Sequence, residues 1–132
     1  MEGPEKKSYR TPLGRVRGLG SAKEGTEHFW KQRLTAVSNL ILVCIAMVLL
    51  AKLIGADYAT VKRALAKPQN AILLLLLVLS GIIHMRLGMQ SIIEDYVHSE
   101  GRRVMALMLN SFFSLVVGLT CVFAVLKLSF GA

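Results

Sequence analysis

The 132-residue chain has few of the features by which enzymes are recognised. Its two cysteines, Cys44 and Cys121, each stand alone in an apolar stretch, without the spacing of a metal site. It has no nucleophile–base pair and no paired carboxylates, and its N-terminal glycines follow no strand and precede no Lys-Ser or Lys-Thr pair, which excludes a phosphate loop. We expect both cysteines to be small packing residues, and we expect the chain not to catalyse a reaction alone.

The first thirty residues lack an apolar run, which argues against a secretory signal. Glutamates interrupt the basic residues there, which argues against a mitochondrial transit peptide. They are Glu2, Glu5, Glu24 and Glu27. This polar, glycine-rich segment shows no periodicity typical of a long helix, and we expect it to form an ordered tail on a soluble partner protein.

What the chain has in abundance is apolar sequence. Hydrophobic residues make up 54% of it, and three stretches are long enough to cross a hydrocarbon core of about 30 Å. We place these spans at about 34–54, 71–93 and 104–126. The prediction is an all-α integral membrane protein, with a polar segment at 1–33 and a three-helix membrane anchor at 34–132.

The loop between the first two spans has a pattern of its own. Tyr58, Val61 and Leu65 recur at helical spacing, with basic residues between them, and Pro68 follows. This predicts a short amphipathic helix on the membrane surface, which the proline ends.

A net charge of +8 raises the possibility of nucleic-acid binding, but the distribution of charge favours membrane topology. Of 16 lysines and arginines, eight lie in residues 1–33 and two, Arg102 and Arg103, lie in the second loop. Five lie on the other side of the predicted membrane: Lys52, Lys62, Arg63, Lys67 and Lys127. Ten basic residues on one side of the membrane and five on the other predict a cytoplasmic N-terminus and an outer C-terminus, because cytoplasmic loops carry the excess of basic residues.

The second span carries a polar stripe at its cytoplasmic end. At about 100° per residue, His84, Gly88, Ser91 and Asp95 share one helix face, and Arg86 points the other way. An ionisable group at membrane depth usually faces a protein interior or cavity. Periodicity alone supports equally a cofactor ligand and a histidine hydrogen-bonded to a neighbouring helix.

Other polar residues of the spans also allow more than one interpretation. Near the start of the first span, three polar residues are expected to serve helix–helix hydrogen bonding or to line a cavity: Thr35, Ser38 and Asn39. In the third span, small residues recur every three or four positions and favour close helix packing. They are Ser111, Ser114, Gly118 and Cys121. Asn110, beside them, needs a hydrogen-bond partner within the bundle.

The second span contains a recognisable pattern: a histidine, a glycine four residues later, and Asp-Tyr eleven and twelve residues after the histidine. It is similar to the second transmembrane helix of the D-type hydrophobic anchor subunit of succinate dehydrogenase, respiratory complex II. The matching residues are His84, Gly88, Asp95 and Tyr96. The resemblance covers nearly the whole chain, and the Gly/Arg-rich lead-in at 11–25 looks like alphaproteobacterial members.

The resemblance implies a shared haem b. His84 would be an axial ligand to the haem iron, and Gly88 would leave room for the macrocycle. Arg33 would contact a haem propionate, unless its charge serves only to fix the topology. His28 is the weaker propionate candidate, because its spacing to Arg33 only approximately follows the family. Because this chain has one intramembrane histidine, the second ligand would come from a cytochrome b-type sister anchor.

The resemblance also implies a ubiquinone site and a respiratory complex. Tyr96 would contact a quinone carbonyl with Asp95 nearby, unless both residues form only a solvated helix end. Partners would be a flavoprotein subunit, an iron–sulfur subunit, the second anchor and the lipid bilayer, with no nucleic acid. The expected location is a bacterial inner membrane. The expected processes are the tricarboxylic acid cycle and aerobic electron transport. The alternatives are a fumarate reductase anchor and a cofactor-free structural or transport subunit.

Overall fold

The structure, a computed structural model, describes residues 11–16 and 24–130. These residues form five helices and no strand: α1 (Pro12–Val16), α2 (Glu24–Ala51), α3 (Tyr58–Ala66), α4 (Pro68–Tyr96) and α5 (Glu100–Phe130). Three segments are long and apolar enough to cross a membrane: Thr26–Ala51, Pro68–Tyr96 and Glu100–Phe130. The predicted all-α membrane fold is confirmed. Of the tail at 1–33 that is expected to lie on a partner protein, residues 1–10 and 17–23 fall outside the described residues.

Helix α2 begins ten residues before the predicted apolar span. It starts at Glu24 rather than near 34 and runs without a break to Ala51. No proline interrupts this stretch, and extending an existing helix costs far less than nucleating a new one. Lys31 and Glu27 form an (i, i+4) ion pair of 2.6 Å on the added turns. The chain then turns at Gly55, whose φ of 80° favours glycine.

The predicted amphipathic helix is confirmed as α3, which packs against α4 and α5. Pro68 has a second role beyond ending it. It occupies the start of α4, where the N–H that proline lacks would have no helical partner. The side-chain amide of Asn70 donates a hydrogen bond of 2.7 Å to the carbonyl of Ala64, which joins the two helices across this turn.

Helix α4 is the central helix of the bundle. Both α2 and α5 pack on it, and within the described residues α2 and α5 do not pack on each other. Asn110 finds the predicted partner, since its amide donates to the carbonyl of Arg86 at 3.0 Å. Ser114 is 2% exposed, and a Cβ on Gly118 would lie 3.4 Å from Ile82. The small-residue stripe therefore allows close packing of α5 on α4, as predicted.

Few apolar side chains are buried by the chain itself. The buried ones among the described residues are Ala46, Ala71, Ile93 and Val125. Most large apolar residues of the three long helices are exposed, as expected for helices covered by lipid or by other membrane subunits.

Candidate functional site

Three contacts between α2 and α4 set the position of the His84 stripe. Ser80 Oγ donates to the carbonyl of Thr35 at 3.4 Å, and Thr35 Oγ1 lies 3.1 Å from His84 Nδ1. A Cβ built on Gly88 would lie 3.9 Å from the side-chain nitrogen of Gln32. Residue numbers fall on α2 as they rise on α4, so the two helices are antiparallel. The His84 stripe thus faces α2.

His84 uses one ring nitrogen within the chain and leaves the other free. Its Nδ1 contacts Thr35, whereas no described residue hydrogen-bonds Nε2, and Nε2 is not among the buried unpartnered atoms. The interpretation of His84 as a histidine hydrogen-bonded to a neighbouring helix is confirmed, and so is that of Thr35 as a helix–helix partner. Neither observation competes with ligation, because a metal-bound histidine binds through one nitrogen and hydrogen-bonds through the other.

Two glycines of α4 flank His84 on one side of the helix. Gly81 and Gly88 lie about 60° and 40° around the helix from His84 on the same side, and about 10 Å apart along the axis. A Cβ on Gly81 would meet no atom within 4 Å, and one on Gly88 would meet only Gln32. The two glycines therefore form a glycine gap, which we define as the strip of α4 between Gly81 and Gly88 where both residues lack a Cβ on one flank of His84.

His28 lies on the same face of α2 as Thr35. It precedes Thr35 by seven residues, or about 20° of helix rotation, and its Nε2 is buried without a hydrogen-bond partner in the described chain. The contacts that pair Thr35 with His84 and Gln32 with Gly88 place His28 near the level of Ser91. A buried polar atom without a partner is uncommon, so a group outside the described residues is expected to satisfy it.

Arg33 lies on the other side of α2. It stands about 160° around the helix from Thr35, is exposed, and places its guanidinium carbon 4.3 Å from the ring centre of Phe29. The structure therefore does not bring together Arg33 and His28, the two residues expected to contact haem propionates.

Tyr96 and Asp95 end α4, and both are exposed, Tyr96 by 77%. No hydrogen bond to either side chain is formed by residues 11–16 or 24–130. Nearby polar groups are satisfied within α4: Gln90 donates to Glu94 at 2.8 Å, and Ser91 donates to the carbonyl of Leu87 at 3.2 Å. The phenolic O–H of Tyr96 is available to a molecule outside the chain.

Gln32 was missed by sequence reasoning, and a spacing signal for it exists. Polar residues recur on α2 at intervals of four, three and four: His28, Gln32, Thr35 and Asn39. This is the spacing of one helix face. The Oδ1 atom of Asn39 is also buried without a partner in the described residues. Gln32 therefore lies on the same face of α2 as His28, Thr35 and Asn39, which the sequence had already singled out.

A groove of about 490 Å³ runs along the other flank of the α2–α4 contact, opposite the glycine gap. It is lined by Lys31, Leu34, Thr35, Ile83, Arg86, Leu87 and Gln90. Its two cations lie toward the cytoplasmic end of the predicted topology. Elsewhere in the described chain, no group of three or more His, Cys, Asp or Glu side chains is placed to hold a metal ion.

Known proteins resemble this chain over nearly its full length. The sequence model of the family described as succinate dehydrogenase/fumarate reductase transmembrane subunit matches residues 7–125. The chain is 32% identical over 124 residues to the succinate dehydrogenase hydrophobic membrane anchor subunit of Paracoccus denitrificans, covering 94% of this chain and 95% of that protein. It is 32% identical over 120 residues to the subunit of the same name from Rickettsia bellii, covering 87% and 94%.

No solved structure shows a significant match. The family match includes the first two long helices, the His84 stripe and the third long helix as far as residue 125, and both relatives are covered almost completely. This chain is therefore a multi-pass membrane protein that belongs to the succinate dehydrogenase/fumarate reductase transmembrane subunit family.

Proposed function

We propose that the chain is the hydrophobic membrane-anchor subunit of a bacterial succinate:ubiquinone oxidoreductase in the inner membrane. The observation that carries the proposal is the similarity over residues 7–125 to this family, together with 32% identity to two succinate dehydrogenase anchors over most of the chain. The chain would hold a flavoprotein and an iron–sulfur subunit at the membrane together with a second anchor. This role needs no catalytic group of its own.

The exposed apolar surface supports assembly with another membrane subunit. Only a few apolar side chains are buried within the described chain, and the free side of His84 lies beside the gap at Gly81 and Gly88. A three-helix chain whose central helix is covered on two sides leaves that gap to a neighbour. The second anchor would cover it and supply a second ligand.

The residues beside the gap fit haem b. His84 presents a free Nε2, the two glycines leave space beside it, and the buried Nε2 of His28 has no partner among the described residues. In the proposal His84 is an axial ligand, Gly88 faces the macrocycle and His28 donates to a propionate. The resemblance favours Arg33 as the propionate contact, but Arg33 lies on the opposite face of α2, so the proposal prefers His28. The haem would supply a one-electron carrier near the quinone.

Tyr96 and Asp95 are proposed to form this chain's part of the ubiquinone site. A quinone head group needs hydrogen-bond donors as negative charge develops on its oxygens during reduction. Tyr96 offers an O–H that has no partner among the described residues. It lies at the end of α4, where it can reach a head group whose tail stays in lipid. Asp95 shares the His84 stripe and would orient neighbouring groups or pass a proton from the cytoplasm.

Topology is tested by two single cysteines in a background with Cys44 and Cys121 replaced by alanine. The exposed positions Ser99, between α4 and α5, and Ala56, between α2 and α3, form a matched pair. In intact cells a membrane-impermeant thiol reagent should label Ala56→Cys and not Ser99→Cys, because the charge asymmetry places residue 99 in the cytoplasm.

Both cysteines should be labelled after the cells are permeabilised, which controls for reactivity. The reverse pattern in intact cells would invert the topology and move Tyr96 to the outer face.

The anchoring function is tested by deleting the chain. Succinate oxidation measured with a water-soluble dye should move from the membrane fraction to the soluble fraction, and expression of the chain should return it. Activity that stays on the membrane without this chain would contradict the proposal. In the restored membranes, succinate-driven ubiquinone reduction should exceed quinol-driven fumarate reduction; the opposite ranking would favour a fumarate reductase.

A further inference from the structure

The hydroxyl of Thr35 is aimed at the ring nitrogen that His84 does not need for ligation. We propose that Thr35 is a positioning residue, which fixes the tautomer and orientation of the His84 imidazole so that Nε2 presents its lone pair. This inference deepens the proposed function and rests on the proposed ligation of haem by His84. It concerns a contact between two helices whose residues lie 49 positions apart.

The single hydroxyl proton of Thr35 determines the direction of its hydrogen bond with His84. Thr35 Oγ1 lies 2.8 Å from the carbonyl oxygen of Lys31 and 3.0 Å from that of Gln32, both one turn earlier on α2. A threonine hydroxyl has one proton to donate and lone pairs to accept with. If that proton goes to either carbonyl, the contact of 3.1 Å with His84 requires Nδ1–H to be the donor. A neutral imidazole protonated at Nδ1 has its free lone pair at Nε2.

The position of Thr35 is itself fixed by α4. Ser80, one turn before His84, donates through Oγ to the backbone carbonyl of Thr35 at 3.4 Å. Two side chains of one α4 face thus contact the carbonyl and the hydroxyl of a single α2 residue. This holds the acceptor at a defined height opposite His84, and it leaves Nε2 and the glycine gap uncovered.

An acceptor at the second nitrogen has a measurable effect on a ligand histidine. It restricts rotation of the ring and raises the basicity of the coordinating nitrogen, and loss of such a partner typically weakens metal binding by about 10–100-fold. A more basic imidazole also favours the ferric state. Without the acceptor, we expect weaker retention of the haem and a higher midpoint potential.

The test compares four forms of the purified complex: wild type, Thr35→Val, Thr35→Ser and Thr120→Val. Valine keeps the shape of threonine and removes the hydroxyl, while serine keeps the hydroxyl. Thr120 is the matched control, because its hydroxyl donates to the carbonyl of Val116 at 2.8 Å on the exposed side of α5 and contacts no histidine. The readouts are haem retained per flavin during dilution and the midpoint potential from redox titration, neither of which is an activity.

Thr35→Val should lose haem about ten-fold more readily, and its ferric-to-ferrous equilibrium should shift toward ferrous haem by up to about ten-fold, which is 59 mV for one electron. Thr35→Ser and Thr120→Val should match the wild type. Wild-type retention and potential in Thr35→Val would overturn the proposal and leave Thr35 as a packing residue.

Two further outcomes are distinguishable. If Thr35→Val does not assemble, Thr35→Ala removes the hydroxyl with less steric demand and should show the same shifts. If neither assembles while Thr35→Ser does, the hydroxyl holds the two helices together, and the positioning proposal is rejected. An absence of haem in the wild-type complex would instead refute the proposed function itself.

Discussion

Tyr96→Phe is expected to lower ubiquinone reduction by about ten-fold or more while succinate oxidation by a water-soluble dye stays unchanged. The phenolic O–H is unpaired within the described chain and lies at the end of α4. Loss of a hydrogen bond that strengthens as charge develops on the quinone oxygen costs about 1.4–4 kcal/mol in the transition state. Phenylalanine keeps the ring and therefore the interfacial anchoring.

Both activities are measured on one preparation of the complex, so that poor assembly cannot imitate a quinone defect. Tyr58→Phe is a matched control, because Tyr58 is a similarly exposed tyrosine, 79% accessible, at the start of α3 in the other loop. Intact quinone reduction in Tyr96→Phe would make Tyr96 an interfacial anchor only and would place the quinone pocket elsewhere.

His84→Ala is expected to abolish or alter the b-type haem signal and to weaken the complex without preventing insertion of the three spans. The substitution removes the free Nε2 and the hydrogen bond to Thr35 together. A cofactor that binds only the assembled state stabilises that state by mass action, so its loss should lower the temperature at which the subunits dissociate. Haem content per flavin and thermal dissociation are the two measurements.

The control for His84→Ala is His98→Ala. His98 is exposed between α4 and α5 and lies outside the three long helices, so its removal should leave haem content and subunit dissociation unchanged. Wild-type haem content in an assembled His84→Ala complex would show that His84 serves only to pack α4 on α2.

The long helices were predictable from the sequence because the length of an apolar stretch is a local property. The residues at which these helices begin and end were harder to predict. The polar residues 24–33 carry no apolar signal, yet they extend α2 because no residue stops the helix. The surface helix α3 was predictable from the spacing of Tyr58, Val61 and Leu65, and the partner required by Asn110 was predictable in kind but not in identity.

The residues of the candidate site were predictable from the sequence, but their positions relative to one another were not. The sequence placed His84 and Gly88 on one face of α4, and polar spacing marked one face of α2, but the sequence did not show which residues of the two faces meet. That choice depends on the register of two helices, and it decides that Thr35 and His28 face α4 whereas Arg33 faces away. A hydrogen bond over 49 residues cannot be found from local spacing.

The reduced-minus-oxidised difference spectrum of the complex that co-purifies with this chain tests the central claim most directly. With succinate as the reductant, the wild-type complex should show a b-type α-band, because His84 would hold haem within reach of electrons from succinate. A complex that contains the flavoprotein and iron–sulfur subunits but shows no such band would contradict the account.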